Sequence, residues 1–381
     1  MGAYFDNAAT TFPKPECVYR SMDAFYRAHG GNAGRGQYKL AAEASKIVSE
    51  TRSSLCELLQ CGGKEVIFTP SATIALNMVL QGILAAPGAH VYLSPFEHNA
   101  VTRTLHALQA KWDLQLHLLP YRKEVGYDLS AIKADFAAVP PDVLVLSHAS
   151  NVCGLVAPVE EIAALAKQYS CTTVIDMAQT AGLVPLFVGS DLIDYAVFAG
   201  HKTLYGPIGI GGFFKKPEDM PVPILFGGTG VDSATQDMPS SSPARYETGS
   251  PNSIAIAGLH AAVRWFGEHV HEIRAAEQEN HKKLLCILER HPNITVLGPS
   301  SRENCIGVVS CVFQGYSSDN IGDVLDRQEI AVRTGLHCAP VAHKTLGTFP
   351  AGTVRFSPSY FTTDEDFLAL EQALAYIEEN S

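Results

Sequence analysis

The chain has 381 residues, 46% hydrophobic and 18% charged, with a formal net charge of -11. That length predicts two domains, or one large domain with an appendage, around a sizeable core. The diffuse acidic balance argues against general binding to nucleic-acid phosphates.

The nine cysteines form no Cys-x-x-Cys pair and no zinc-finger spacing, which favours a reducing compartment over a disulfide framework. Met1 to Phe12 carries no basic segment followed by an apolar run, and no apolar stretch reaches membrane-spanning length. A cytoplasmic location, without membrane or nucleic-acid partners, is the expectation.

In chain order, Val66-Ile67-Phe68-Thr69 reads as a strand and Thr73 to Leu84 as the helix after it. His90 to Leu93 is the next strand, followed by a helix starting near His98. Val143 to Leu146 leads to the amphipathic run Glu160 to Gln168, and Thr172 to Ile175 follows. Continuous Val, Ile and Leu strands between helices predict an α/β fold with a mostly parallel sheet covered on both faces. Gly227 to Ser242, rich in Gly, Ser and Pro, predicts an exposed loop near the site.

After Pro251 the rhythm changes. Two long helices are expected, Ser253 to His269 and Glu272 to Arg290. Shorter elements follow at Val308 to Phe313, Ser318 to Gln328 and Val354 to Ser357, with a terminal helix at Asp364 to Ile377. The expected division is a large domain over residues 16–255 and a smaller α+β domain over 256–381, joined by segment 1–15.

Three signals lie at predicted strand ends, where open α/β sheets place ligands. Ser71-Ala72-Thr73 opens a helix with small residues whose backbone N–H groups can approach an anion, although a plain helix cap has the same look. Asp176 ends Val174-Ile175-Asp176, with Gln179 three residues on. A buried acid there needs a partner, and the protonated pyridine nitrogen of pyridoxal phosphate (PLP) is one, with helix capping the plainer role. Ala199-Gly200-His201-Lys202 follows the apolar stretch Tyr195 to Phe198, a setting that suits a desolvated, nucleophilic lysine.

The order of these parts resembles the PLP signature of the class V aminotransferase superfamily, and most of all the cysteine desulfurase and selenocysteine lyase family. The resemblance is carried by Phe5-Asp-Asn-Ala-Ala-Thr-Thr11, Glu97-His98-Asn99, Ser147-His-Ala-Ser-Asn151, Asp176-Met-Ala-Gln179, Gly200-His201-Lys202 and Arg333-Thr-Gly-Leu-His-Cys338. It implies a fold type I transferase acting on L-cysteine or L-selenocysteine as a homodimer, with a sulfur-acceptor protein as partner.

By resemblance, Lys202 is the Schiff-base lysine, and Asp176 pairs with the ring nitrogen while Gln179 bonds the ring oxygen. His98 stacks on the ring and assists proton transfer. Ala72, Thr73 and His201 hold the phosphate, joined by Ser250 from the partner subunit. Asn151 and Arg355 bind substrate, Arg355 clamping its carboxylate through a bidentate fork. Cys338 takes the sulfur as a persulfide, which needs a reactive, partly exposed thiol. The Arg333 to Cys338 segment matches the short-loop group II pattern, in which the cysteine is fixed and sheltered.

Two positions depart from that pattern. Ala199 stands where a phosphate-binding serine is frequent, and Ile74 where an acid is common. The missing serine removes one hydrogen bond, a loss of about 1 kcal/mol. Transamination or β-elimination would need Lys202 and Asp176 but not Cys338. A non-catalytic PLP-binding dimer acting as a sulfur-relay partner has slight support from Ala199, and the full set of Lys202, Asp176, His98, Arg355 and Cys338 argues against it.

Overall fold

The computed structural model describes residues 2–29, 31–33, 36, 38–231 and 233–380. Seven strands form the main sheet: β1 (Glu65–Thr69), β2 (His90–Leu93), β3 (Gln115–Leu118), β4 (Val143–Ser147), β5 (Thr172–Asp176), β6 (Tyr195–Ala199) and β7 (Gly211–Lys215). Their order is β1-β7-β6-β5-β4-β2-β3. The run from β6 through β3 is parallel, and β7 is antiparallel to both its neighbours.

The apolar runs are continuous because both faces are covered. Leu144 and Leu146 enter one core with Leu55, Phe136 and Ile162, whereas Val143 and Val145 enter the other with Leu76, Val79 and Val101. The two-residue period of a strand makes this division. Each fully buried Leu or Val stabilises the fold by roughly 1.5–3 kcal/mol. The helices supplying these layers are α2 (Lys39–Leu58), α3 (Ala72–Ile83), α4 (Asn99–Trp112), α5 (Leu129–Ala138) and α6 (Val159–Lys167), while α1 (Glu16–Ala28) lies outside both cores.

The two helices expected after Pro251 are one, α7, running Ser253–Glu289 over 37 residues. No proline or glycine lies at Val270-His271, so nothing breaks the backbone there. The shift in apolar periodicity marks a change of packing partner. Ile256, Leu259 and Val263 pack into the main-sheet core, and Leu284, Ile287 and Leu288 into a second, smaller one. The expected boundary at 255/256 falls inside this helix.

The smaller core lies against an antiparallel sheet of β8 (Ile294–Val296), β9 (Val309–Phe313), β10 (Arg333–Gly335) and β11 (Thr353–Phe356), in the order β8-β9-β11-β10. Helices α8 (Ser318–Arg327), α9 (Pro340–Thr345) and α10 (Asp364–Glu379) complete this part. The N-terminal segment threads between the two sheets. Ala3–Tyr4 pairs with Ile330–Ala331, and Phe5 is buried in the smaller core. Thr10 and Thr11 then bond to the backbone of His201, beyond the end of β6.

Residues 227–242 form neither helix nor strand among the described residues and are mostly exposed. No helix among the described residues is long and apolar enough to cross a membrane.

Candidate functional site

Parallel strands end on one edge, so the residues just beyond β1, β4, β5 and β6 converge. They line one pocket: Ala72 and Thr73 from the start of α3, His98 before α4, Asn151 after β4, Asp176 at the end of β5 and Gln179 in the turn after it, and His201 and Lys202 after β6. The pocket is a small concavity at the ends of the parallel strands, where open α/β sheets place ligands.

The first turn of α3 reaches this position because Gly211 has no side chain. A Cβ on Gly211 would stand 2.9 Å from the backbone nitrogen of Ala72 and 2.9 Å from the Phe198 carbonyl oxygen. Ser71 caps α3, its hydroxyl accepting from the N–H of Ile74 at 3.3 Å. The capping role and a free helix N-terminus facing the pocket therefore coexist. Ile74 does not line this pocket but packs against the core beside α3, so the absence of an acid there leaves the pocket wall unchanged. Ala199 does line it.

Burial sets the charges. Lys202 is lowered to about 8, first by desolvation and then by Arg355 and Arg333, with Asp176 and Cys338 opposing. A substantial fraction of its amine is neutral near pH 8, as a nucleophile or proton acceptor requires. Burial raises Asp176, while the N–H of Ala178 at 2.8 Å and the charge of Lys202 pull it back.

His98 is lowered to about 4, mainly by burial. Its Nδ1 accepts from the N–H of Ala100 at 3.0 Å, so the neutral ring carries its proton on Nε2. His201 is likewise lowered to about 4, and its buried Nδ1 has no hydrogen-bond partner. Gln179 donates from Nε2 to the Ala8 carbonyl at 3.0 Å.

Cys338 stands at the edge of this group on a tightly held loop. His337 and Cys338 have φ of 47° and 57°, a left-handed pair of non-glycine residues that local bonds must hold. The Cys338 carbonyl accepts from the N–H of Asn99 at 2.7 Å, and Asn151 Nδ2 donates to the His337 carbonyl at 2.7 Å. The thiol is therefore anchored to the residues beside His98 and Asn151. Arg333 Nη2 lies 3.3 Å from Cys338 Sγ. His337, adjacent in sequence, turns away and bonds Thr353 Oγ1 at 2.7 Å.

Arg355 and Ser250 stand apart from the pocket wall. Arg355 is 1% exposed, with Nη1 on the Asn151 carbonyl at 3.0 Å and Nη2 on Asp6 Oδ1 at 2.7 Å. Its buried Nε has no partner. Ser250 lies in a separate apolar groove with Phe68, Ile74, Tyr246 and Thr229, its hydroxyl 2.9 Å from Asn32 Nδ2. Within one chain, Ser250 does not join the residues around Lys202.

Sequence reading missed three contributors. Asp6, the partner of Arg355, was visible only as part of the N-terminal motif. Lys14 donates from Nζ to Thr11 Oγ1 at 2.6 Å and to the His201 carbonyl at 2.7 Å, but a single lysine before a proline gives no sequence signal. Glu97 is fully buried behind His98.

The side chains suit PLP by their chemistry. A helix N-terminus and an unpartnered His201 Nδ1 suit a phosphate, a buried carboxyl suits a protonated ring nitrogen, and a lysine of lowered pKa suits an aldehyde carbon.

The sequence profile of the class-V aminotransferase family matches residues 3–370. The chain is 30% identical over 377 residues to "Probable cysteine desulfurase 2" of Mycobacterium leprae, covering 96% of this chain and 88% of the relative. Its structure is similar to that of a cysteine desulfurase from Thermococcus onnurineus, with a TM-score of 0.92, 28% identity and coverage of 100% and 95% of the two chains. It is also similar to a cysteine desulfurase from Escherichia coli, with a TM-score of 0.85, 27% identity and coverage of 99% and 95%.

Proposed function

Because the chain belongs to the class-V aminotransferase family, we propose that it is a PLP-dependent cysteine desulfurase. On this reading it converts L-cysteine to L-alanine and keeps the sulfur as a persulfide on Cys338. The observation that carries the reading is the anchored thiol: Cys338, with Arg333 at 3.3 Å, is tied to the residue after His98 at the pocket that holds Lys202.

PLP bound in this pocket would supply an electron sink for negative charge developing at the substrate Cα. Lys202 would hold the cofactor covalently and, once displaced, take the Cα proton on Nζ. Asp176 would hold the ring nitrogen protonated, and Gln179 would bond the ring oxygen. His98 would cover the ring face, its proton on Nε2. Ala72, Thr73 and His201 would bind the phosphate.

Asn151 and Arg355 would orient the substrate, with Arg355 exchanging Asp6 for the substrate carboxylate. Cys338 Sγ then attacks the substrate sulfur. The S–S bond forms as the Cβ–S bond breaks, the electron pair stays with the three-carbon product, and protonation gives alanine. The persulfide passes to an acceptor protein, or a thiol reductant releases it as sulfide. L-Selenocysteine presents the same shape with a weaker bond at the reacting atom, and the sequence pattern admits it as a second substrate.

The test is product analysis. Protein loaded with PLP and given L-cysteine and a thiol reductant should release alanine and sulfide one to one. Pyruvate in place of alanine would reject the persulfide route. In the same assay Arg355→Lys should raise KM about 10-fold or more, through loss of the bidentate fork.

Ser250 enters through the partner. It lies in the apolar groove away from Lys202, so we read the working unit as a homodimer in which each Ser250 completes the other subunit's phosphate site. Sedimentation of the PLP-loaded protein should give twice the 41.0 kDa chain mass. A fully active species at the single-chain mass would reject the shared site.

A further inference from the structure

Glu97 is a fully buried acid that the proposed reaction does not use. It precedes His98 and does not line the pocket. One carboxyl oxygen accepts from the Ser147 N–H at 2.5 Å, and the other lies 2.8 Å from the Ser147 hydroxyl. Ser147 is the last residue of β4 and pairs in register with Asp176 of β5. Two acids thus flank one strand end in a dry interior.

Their surroundings differ. Asp176 has the positive charge of Lys202 acting on it, whereas the charge acting on Glu97 is that of Asp176 itself. Two carboxylates so placed do not both ionise, and the one without a cation keeps the proton. Tyr127, whose hydroxyl meets Ser94 at 2.8 Å, also feels the charge of Glu97, and burial keeps it uncharged at neutral pH.

We propose that Glu97 is a positioning residue that works in its protonated form. Its O–H donates to the Ser147 hydroxyl while its carbonyl oxygen accepts from the Ser147 N–H. This neutral clasp fixes the segment that carries His98 against the end of β4. It also leaves Asp176 as the single negative charge available to the ring nitrogen. Burial supports the assignment by raising Glu97 to about 8, with Asp176 adding to the rise and the two Ser147 bonds opposing it. The inference rests on the PLP-site reading for its purpose, but the state of the Glu97 proton can be read without it.

The test compares Glu97→Gln with Glu97→Ala. A glutamine reproduces the clasp, its amide nitrogen donating to the Ser147 hydroxyl and its oxygen accepting from the N–H. The first readout is the pH titration of cofactor absorbance in loaded, substrate-free protein. Glu97→Gln should keep the wild-type midpoint, and Glu97→Ala should shift it.

The second readout is the Tm of unloaded protein against pH. The folded value of about 8 lies above the ordinary 4.5, so the folded chain holds a proton that the unfolded chain releases. The contribution of Glu97 to stability is therefore greatest below pH 4.5 and falls as pH rises towards 8. Glutamine has no such proton, so Glu97→Gln should lose less Tm between pH 5 and pH 8.5 than wild type.

If Glu97→Gln shifts the absorbance midpoint, or its Tm falls with pH as steeply as wild type, Glu97 acts ionised and the proposal is overturned. If Glu97→Ala does not fold, the glutamine comparison decides alone. A wild-type protein that makes no alanine would reject the desulfurase reading and leave the Tm comparison standing.

Discussion

Replacing Lys202 with alanine is expected to cut alanine formation by a factor on the order of 10²–10⁴, the usual cost of losing a positioned proton acceptor. It should also remove the borohydride-reducible mass adduct between protein and PLP. The expectation is not obvious from pKa alone. Lys14 is lowered further, to about 7, by burial, whereas Lys202 is lowered to about 8.

Geometry separates the two amines. Lys14 Nζ is committed to Thr11 and the His201 carbonyl, a setting in which it serves as a donor. Lys202 lines the pocket opposite Asp176. In wild type the rate of covalent capture should rise with pH as Lys202 loses its proton, and level off above about 8. An adduct that survives Lys202→Ala and maps to Lys14 would overturn the assignment.

The second large effect is expected at Cys338. Cys338→Ser should abolish alanine and sulfide release, a drop of about 10²-fold or more for loss of the nucleophile. Covalent PLP capture and its absorbance should survive, because Lys202 and Asp176 are untouched. Loss of product with retained capture distinguishes sulfur transfer from general PLP chemistry. A Cys338→Ser protein that still forms alanine at the wild-type rate would rule out the Cys338 persulfide, and one that forms pyruvate instead would point to an elimination. Loss of cofactor as well would show that the loop tied to Asn99 supports the pocket rather than the chemistry.

The strand ends were legible because parallel strands buried on both faces leave continuous apolar runs, and the residue after each run is a candidate for the ligand edge. Val174-Ile175-Asp176 and the stretch ending at Phe198 gave Asp176 and Lys202 in this way. The antiparallel β7 was not legible. It is five residues, Gly211 to Lys215, opening on two glycines, and strand direction leaves no mark on composition.

The Asp6–Arg355 pair spans 349 positions, and nothing local to either residue announces the other. Ser250 shows the opposite limit. The resemblance gave it a role in the phosphate site, yet in one chain it lies in a different groove. In the proposed homodimer, its role would be completed by a second chain and has no single-chain geometry to be read. Arg333 and His337 are both near Cys338 in sequence, but β10 sends the guanidinium towards the sulfur while the left-handed turn sends the imidazole into the core.

The 37-residue helix α7 limits how the molecule can deform. At 1.5 Å per residue it is a beam about 55 Å long, embedded at one end in the core of the main sheet and at the other in that of the smaller one. A beam clamped at both ends does not pivot as a loop does. Any approach of Arg355 and Cys338, carried by the smaller sheet and its connections, towards the Lys202 pocket must flex the beam or slide side chains along it. Both keep such motion small and spring-like, returning to one rest position when the load is removed.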